Sequence, residues 1–506
     1  MATFGMPVID LHKLRERLLA SVFLKKLIKG SFWLTLGAML SGVLMSLASV
    51  VMARLLPADA FGEYGMVKAT IDNFLIFASM GVGLTTTKYM AELRDRQKAA
   101  ASGILGTALL LVSVLGLIIS LLIVVFAGFL ADVLLNNPDL QTSLRLGGFI
   151  LLFVAINGTQ LGALLGLQAY RAYGLANLTQ GLLLFVGLGL GAYWGGVNGA
   201  LTGQLLAIVL MAVMLHGLLL KHGRRHGVQP SLQGFGQHSR TIYKFAIPAS
   251  LSTLIVAPTL WVLNSLLVNE PLGYAALGLY SAVMIFSLAI QLFNGAIGNA
   301  LLPMLLADKG GSTTAKDFFN YFGPWFVAIA LSLPLVLAPE LVGWVLGHKY
   351  PMPKVLPVLL WVLLSSLIVS SKSGLARELI VQNRMWLSVY SMGQWALTSI
   401  VCYFLLRGEG ALSLAAAMAL GYVVNYLLFI PFFIRKGLAP AYVFYNRWVW
   451  LIWLAILGMM ALTYQDVAVW PIRLTGHFGL LLLLARGMYG LYYSCLGQSP
   501  KPDPEI

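Results

Sequence analysis

The chain has 506 residues, 59% of them hydrophobic and 10% charged, with a mean hydropathy of +0.85. A soluble domain carries roughly 25% charged residues, so this composition excludes one. The net charge of +15 would suggest nucleic acid in a soluble chain. Here most Lys and Arg fall in short loops and set membrane topology, and they also suit an anionic lipid surface or an anionic substrate.

Residues 1–29 are polar and basic (His12, Lys13, Arg15, Arg17, Lys25, Lys26, Lys29) and predict an interfacial amphipathic segment. The next apolar run is too long for a signal-peptide core and reads as a retained first span. Runs long enough to cross a hydrocarbon core of about 30 Å then recur at 30–53, 64–90, 102–130, 146–169, 173–194, 197–220, 245–268, 274–306, 320–346, 355–380, 386–406, 410–433, 447–464 and 476–494. That is about 14 transmembrane helices in an all-α polytopic protein. The alternating ten-residue segments of a β-barrel do not occur. With the N-terminus inside, 24 of the 33 Lys and Arg lie inside, 6 outside and 3 within spans, which predicts that both termini are cytoplasmic.

The polar stretch 221–244, "KHGRRHGVQPSLQGFGQHSRTIYK", separates a six-helix bundle at 30–220 from another at 245–434. Residues 435–506 add two spans and a tail. A shift of 216 residues lays "FGEYGMVKATIDNFLIFASM" over "LGLYSAVMIFSLAIQLFNGA", matching Gly62 to Gly278, Tyr64 to Tyr280, Phe77 to Phe293 and Ala91-Glu92 to Ala307-Asp308. A shift of 213 brings Arg171 beside Arg384. An even number of spans per bundle makes this a parallel repeat, a plan that places a substrate site between the halves.

Charges inside spans are rare because each costs about 2.5–3.5 kcal/mol at the bilayer centre. Lys68 and Asp72 share one face of the second span, continued by Ser79, Gly83 and Thr86. They fit either a structural pair near the outer interface or a cavity-lining pair in which Lys68 meets an anion and Asp72 modulates it or couples transport to a proton or sodium ion. Lys372 sits among Ser365, Ser366, Ser370, Ser371 and Ser373 with no acid within a turn, so a cavity role is expected. Arg377 is a candidate substrate-binding residue at the inner rim or an anchor paired with Glu378. Arg54 closes span one as a candidate substrate-binding residue or as a structural partner of Asp59. Lys88 and Arg171 are candidates at the cavity mouth or membrane anchors, and Arg486 is read as snorkelling. Asn157, Gln160, Asn264, Gln291, Asn294 and Asn299 offer interhelical hydrogen bonds or sugar contacts. In "GLGLGAYWGG", Gly187, Gly191 and Gly195 have the spacing of helix packing rather than of a nucleotide loop. No Ser-His-Asp, HExxH or phosphate-loop pattern is present, no thiolate metal site is readable from Cys402 and Cys495, and the chain is not expected to be an enzyme or to carry a cofactor.

Residues 50–92, "VVMARLLPADAFGEYGMVKATIDNFLIFASMGVGLTTTKYMAE", resemble the opening signature of the Wzx-type oligosaccharide flippases, with an Ala-Arg-Leu-Leu turn, a Phe-Gly-x-Tyr, a long second span, a Gly-x-Gly and a closing Ala-Glu. "YKFAIPASLSTL", with Pro248, and "VLGHKYPMPKVLPVLLWVLL", from Val345, resemble later parts of the same family. The first turn departs from the family's Gly-Pro, reading Pro57-Ala58. The resemblance covers nearly the whole chain and implies the multidrug/oligosaccharidyl-lipid/polysaccharide exporter superfamily. It further implies two bundles around a V-shaped central cavity in the cell inner membrane. The implied activity moves a polyprenyl-(pyro)phosphate-linked oligosaccharide between leaflets for O-antigen, capsule or exopolysaccharide synthesis, through a cationic cavity. Membrane lipids, a polysaccharide polymerase and glycosyltransferases are candidate partners. The rival readings are a cation-coupled drug exporter of the same superfamily, a membrane glycosyltransferase or polymerase, and a scaffold. A drug exporter needs acids deep in a bundle, the enzymes need large outside loops, and a scaffold has no use for intramembrane lysines.

Overall fold

The computed structural model describes residues 22–250, 253–307, 314–382, 384–465 and 470–496. The expectations for residues 1–21 and for the tail after Leu496 lie outside the described residues, as do those for Asp308 and for the side chains of Asn299 and Cys495. Among the described residues every regular element is helical. The longer ones are α1 (Val22–Leu55), α2 (Ala58–Ser79), α3 (Val82–Leu93), α4 (Lys98–Val125), α5 (Leu140–Gly166) and α6 (Tyr170–His226). They continue with α7 (Phe235–Ser250), α8 (Thr253–Val268), α9 (Gly273–Ala307), α10 (Thr314–Leu337) and α11 (Glu340–Leu346). The last are α12 (Met352–Val381), α13 (Met385–Leu405), α14 (Ala411–Arg435), α15 (Arg447–Tyr464) and α16 (Trp470–Leu496). Among the described residues, nine helices have the length and hydropathy to cross a membrane, or ten with one bent pair counted as a span.

Three places relate the helices to the apolar runs. Runs five and six are the two arms of α6, separate helices joined by a sharp turn at Gly195 and Gly196, where the backbone is not helical and Gly196 takes φ 56°. Its arms then touch through Gly187 against Gly203 and Gly191 against Gly199. Gly187 and Gly191 therefore pack helices as expected, whereas Gly195 makes the corner. The second run is not one helix: Met80 and Gly81 both adopt left-handed backbone, and α2 meets α3 at a 42° bend. The stripe expected from Lys68 through Thr86 is cut there. Beyond the bend, Thr85, Thr86 and Thr87 return hydroxyl bonds to Gly81, Val82 and Gly83 carbonyls, and Thr87 also donates to Gly162 O on α5. Run seven covers the end of α7 and all of α8, and residues 251 and 252 between them lie outside the described residues. The polar stretch before it is docked rather than free, since Ser231 N donates to Ser102 O at 3.0 Å and the His238 ring lies against Gly103.

Helices from the two ends of the chain meet along α2, which packs on α5 on one side and on α8 and α9 on the other, while α1 packs on α6 and α9. The closest crossing joins Gly62 to Gly278. A methyl group on Gly62 would fall 1.9 Å from Tyr274 O, and one on Gly278 would fall 1.8 Å from Ala58 O. One turn on, Gly65 faces Ser281. These partners are the residues that the 216-residue shift matches.

The crossing generates a stability prediction. Gly62→Ala and Gly278→Ala each force the backbones apart and lower the thermal midpoint of the purified protein, with overpacking of about 1–3 kcal/mol apiece. Gly158→Ala has open space around the new methyl and leaves the midpoint unchanged or higher. Equal midpoints for all three would remove the crossing from the account of stability.

Candidate functional site

A cavity of about 510 Å³ lies between α2, α8, α9, α12 and α14. Lys68 and Asp72 enter it from α2, Asn264 from α8 and Gln291 from α9. Lys68 Nζ is 2.5 Å from Asp72 Oδ2, and half of each side chain (51%) is open. On a helix enclosed by neighbours, that exposure is exposure to the cavity. Thr70 and Asn73, on the same helix, are buried against other elements, Thr70 accepting from Trp261 Nε1 of α8 at 3.0 Å.

The remaining wall is hydroxyl-rich and aromatic. Tyr64, Tyr280 and Tyr422 line it together with Ser281, Ser287, Ser365 and Ser366. Ser287 and Ser366 share a 2.7 Å hydrogen bond between α9 and α12. Asn294 sits behind Gln291, donating to Ser370 Oγ at 2.5 Å, with its own carbonyl oxygen buried and unpartnered. Among the lining residues Lys68 and Asp72 are the charged ones, so the formal charge of this wall is zero. The resemblance implies a cationic cavity, but in this wall the i, i+4 carboxylate of Asp72 balances Lys68.

Lys372 belongs to an adjoining cavity of about 290 Å³, which shares Val369 and Tyr422 with the larger one. It is not isolated, since its ammonium donates to Asn425 Oδ1 of α14. Asn425 is held in turn by Ser391 O at 2.7 Å and Gln394 Oε1 at 2.7 Å.

The other sequence candidates lie elsewhere, each for a stated reason. Buried Arg377 does not pair with Glu378. Its Nε and Nη2 donate to Asn320 Oδ1 at 2.8 Å and Asn320 O at 2.7 Å, tying α12 to α10, because one residue offers two acceptors that match the guanidinium fork. Arg54 does not pair with Asp59. Its Nε donates to Val345 O at 2.8 Å and its Nη2 to Trp344 O at 2.5 Å, at the end of α11 where helical carbonyls lack partners. Arg171 stacks over the Trp33 ring of α1, its guanidinium carbon 5.5 Å from the centroid, and Lys88 lies over Tyr89 at 5.4 Å. Asn157 donates to Ile208 O at 3.1 Å, the interhelical bond expected of it, and the Gln160 side-chain oxygen is buried without a partner.

Sequence reading missed Lys349, whose ammonium reaches the carbonyls of Arg54, Leu55 and Leu56 at 2.7, 3.1 and 3.3 Å. It thus caps the end of α1 from beside α12, while Arg54 caps α11 in return. Asn269 and Tyr274 add bonds to Leu134 O and Leu135 O. These bonds join helices from opposite ends of the chain at the edge that carries Arg54. The reading also missed Asn425 and Tyr422, although an amide inside "GYVVNYLL" carries the same signal as those it singled out.

A family model described as "Polysaccharide biosynthesis protein" matches residues 27–307, more than half of the chain. The chain belongs to this family. The Lipid III flippase of Escherichia coli is 23% identical over 432 residues, spanning 79% of this chain and 97% of that protein. The EPS I polysaccharide export inner membrane protein EpsE of Ralstonia nicotianae is 24% identical over 313 residues, spanning 60% and 69%. Among solved structures, an inward-facing multidrug resistance MATE family transporter of the MOP superfamily aligns with a TM-score of 0.60 at 16% identity, covering 78% of this chain and 95% of that one. A MOP superfamily transporter from Pyrococcus furiosus aligns with a TM-score of 0.57 at 17% identity, covering 81% and 96%. At these identities the structures establish the fold, which is the polytopic helical one the resemblance implied.

The cavity can be checked by accessibility. In a Cys402→Ser, Cys495→Ser background, single cysteines at Lys68, Asp72 and Gln291 react with a small water-soluble thiol reagent. Cysteines at Thr70 and Asn73 are protected. Equal rates at all five positions would mean that no water-filled space separates these faces.

Proposed function

We propose that this protein is a flippase rather than an enzyme. In this reading it carries a polyprenyl-(pyro)phosphate-linked oligosaccharide from the cytoplasmic to the periplasmic leaflet of the inner membrane, for cell-surface polysaccharide synthesis. The carrying observation is the cavity between α2 and α8, α9, α12 and α14. Hydroxyls, amides and three tyrosines suit a carbohydrate, which needs hydrogen bonds and flat apolar faces. The family, and a relative named Lipid III flippase that aligns over nearly its whole length, support the substrate class.

In this reading the chain has fourteen spans in two six-helix halves, 30–220 and 245–434, joined by 221–244, with two further spans in 435–506. Both termini are cytoplasmic, and the Arg54 edge faces the periplasm. The reciprocal capping by Arg54 and Lys349 then closes the periplasmic side. Alternating access breaks those bonds and forms others on the cytoplasmic side.

The second reading, a cation-coupled drug exporter, draws on the MATE fold and on Asp72 inside the cavity. It is the weaker one, because Lys68 already occupies that carboxylate.

Purified protein in proteoliposomes separates the two. With a labelled polyprenyl-diphosphate oligosaccharide on one leaflet, the flippase delivers it to the other, where an impermeant glycosidase removes the label. Delivery no faster than in empty vesicles, together with efflux of a lipophilic cation, would give the site to the exporter. The closure has its own check. In whole cells, Arg54→Ala with Lys349→Ala raises periplasmic labelling of a cysteine at Gln291 several-fold over the parent. An unchanged rate would mean that the two caps do not hold the gate.

A further inference from the structure

The two intramembrane lysines differ in their electrostatic surroundings, and the difference assigns them different parts of a ligand. Lys68 has a carboxylate at 2.5 Å. An entering phosphate would face Asp72 as well as Lys68, and like charges in one site disfavour each other. Lys372 meets only dipoles: among the described residues it has no carboxylate partner, and its ammonium rests on the Asn425 side-chain oxygen.

That oxygen is aimed by construction. The two hydrogens of the Asn425 amide nitrogen go to Ser391 O and Gln394 Oε1, and Ser391 Oγ donates to the Asn425 oxygen at 3.2 Å, which fixes the carbonyl end toward Lys372. An ammonium has three donors. Asn425 takes one, leaving two for a ligand. Ser373, Ser388 and Ser391 stand around the same space of about 290 Å³. A half-buried cation with one amide partner and, among the described residues, no anion is an incomplete arrangement that a phosphate completes.

Depth agrees. α2 and α12 both start at the Arg54 edge, where Lys349 bonds the carbonyls of 54–56. At ~1.5 Å per residue, Lys68 lies about 15 Å and Lys372 about 30 Å along their helices from that edge. Tyr422, stacked on Trp395 at 5.1 Å, and Val369 form the wall common to the two cavities, so one ligand can reach both.

We propose that the Lys372 pocket, with Ser373, Ser388, Ser391 and Asn425, is the subsite for the phosphate of the lipid-linked substrate, distinct from the larger neutral cavity that takes its glycan. The assignment rests on the flippase reading. It orders the ligand: the phosphate is held nearer the cytoplasmic side, and the sugars extend ahead of it toward Lys68 and the periplasmic closure.

The test measures binding to the whole protein in nanodiscs, with polyprenyl diphosphate, polyprenol and inorganic pyrophosphate as probes. The parent protein prefers polyprenyl diphosphate over polyprenol by tenfold or more. Lys372→Ala brings that ratio close to one, Lys372→Arg keeps most of it, and Lys68→Ala with Asp72→Ala leaves it unchanged. In a second measurement, polyprenyl diphosphate protects a cysteine at Ser388 from a thiol reagent and polyprenol does not. If Lys372→Ala fails to fold, Lys372→Gln and the cysteine protection carry the test. A preference that survives loss of the Lys372 charge, or that disappears with the Lys68 pair, overturns the subsite and leaves the flippase reading standing. Inorganic pyrophosphate binding as tightly as the lipid makes this a free-anion site and overturns the lipid assignment. No preference in the parent protein overturns the flippase reading itself.

Discussion

Everything at the centre of this molecule depends on how closely two helices approach at Gly62 and Gly278. With no side chain on either residue, α2 and α9 touch backbone to backbone, each glycine lying under a carbonyl of the opposite helix. In a bilayer, helices gain little by hiding apolar surface from each other, so close van der Waals contact at small residues is what fixes their crossing. The contact has a second property. Gly62 and Gly278 are counterparts under the 216-residue shift, and so are Gly65 and Ser281. Residues that touch their own counterparts lie on an axis of pseudosymmetry, as in an isologous interface. The crossing therefore sets where α2 and α9 diverge, and the cavity begins where they do, flanked by the matched pair Tyr64 and Tyr280.

Placement of charge follows from the scarcity of water. A cation on a spanning helix has to find an acceptor in protein, and the supply is mostly dipoles. Arg54 and Lys349 use the free carbonyls of helix ends, Arg377 uses both acceptors of Asn320, and Arg171 uses the face of Trp33. Each of these ties one helix to another, which is why positive residues at span ends serve packing as much as topology. Lys68 differs in having an anion, and Lys372 in having only an amide.

The helical class and the apolar runs that became membrane-length helices were legible because they rest on hydropathy and on residue type at fixed spacing. Lys68, Asp72, Asn264 and Gln291 were legible as cavity residues for the same reason: a polar group in an apolar run needs either a partner or water. What stayed hidden was everything decided by long-range partners. Nothing local to Arg54 indicates that it reaches Trp344 and Val345 instead of Asp59, and nothing near Lys372 in sequence points to Asn425 on α14. The break at Met80 and Gly81 was masked by hydropathy that runs smoothly across it, since a bend changes the direction of a span but not its polarity.

The frame is repeated but its chemistry is not. Under the shift that pairs the crossing glycines, Lys68 corresponds to Met284 and Asp72 to Leu288, and both of those apolar residues also line the cavity. One wall thus carries an ion pair where the opposite wall carries a thioether and an isobutyl group. Lys372 is equally unmatched, since the shifts of 216 and 213 lead back to Ile156 and Thr159. A symmetric cavity would accept a ligand in two orientations related by the pseudo-axis. An ion pair on one side and a lone ammonium in the other half distinguish those orientations by charge. The axis of a parallel repeat runs along the membrane normal, so those two orientations exchange the walls that a ligand faces and not its two ends. In a carrier built this way, the unmatched polar residues tell one wall from the other.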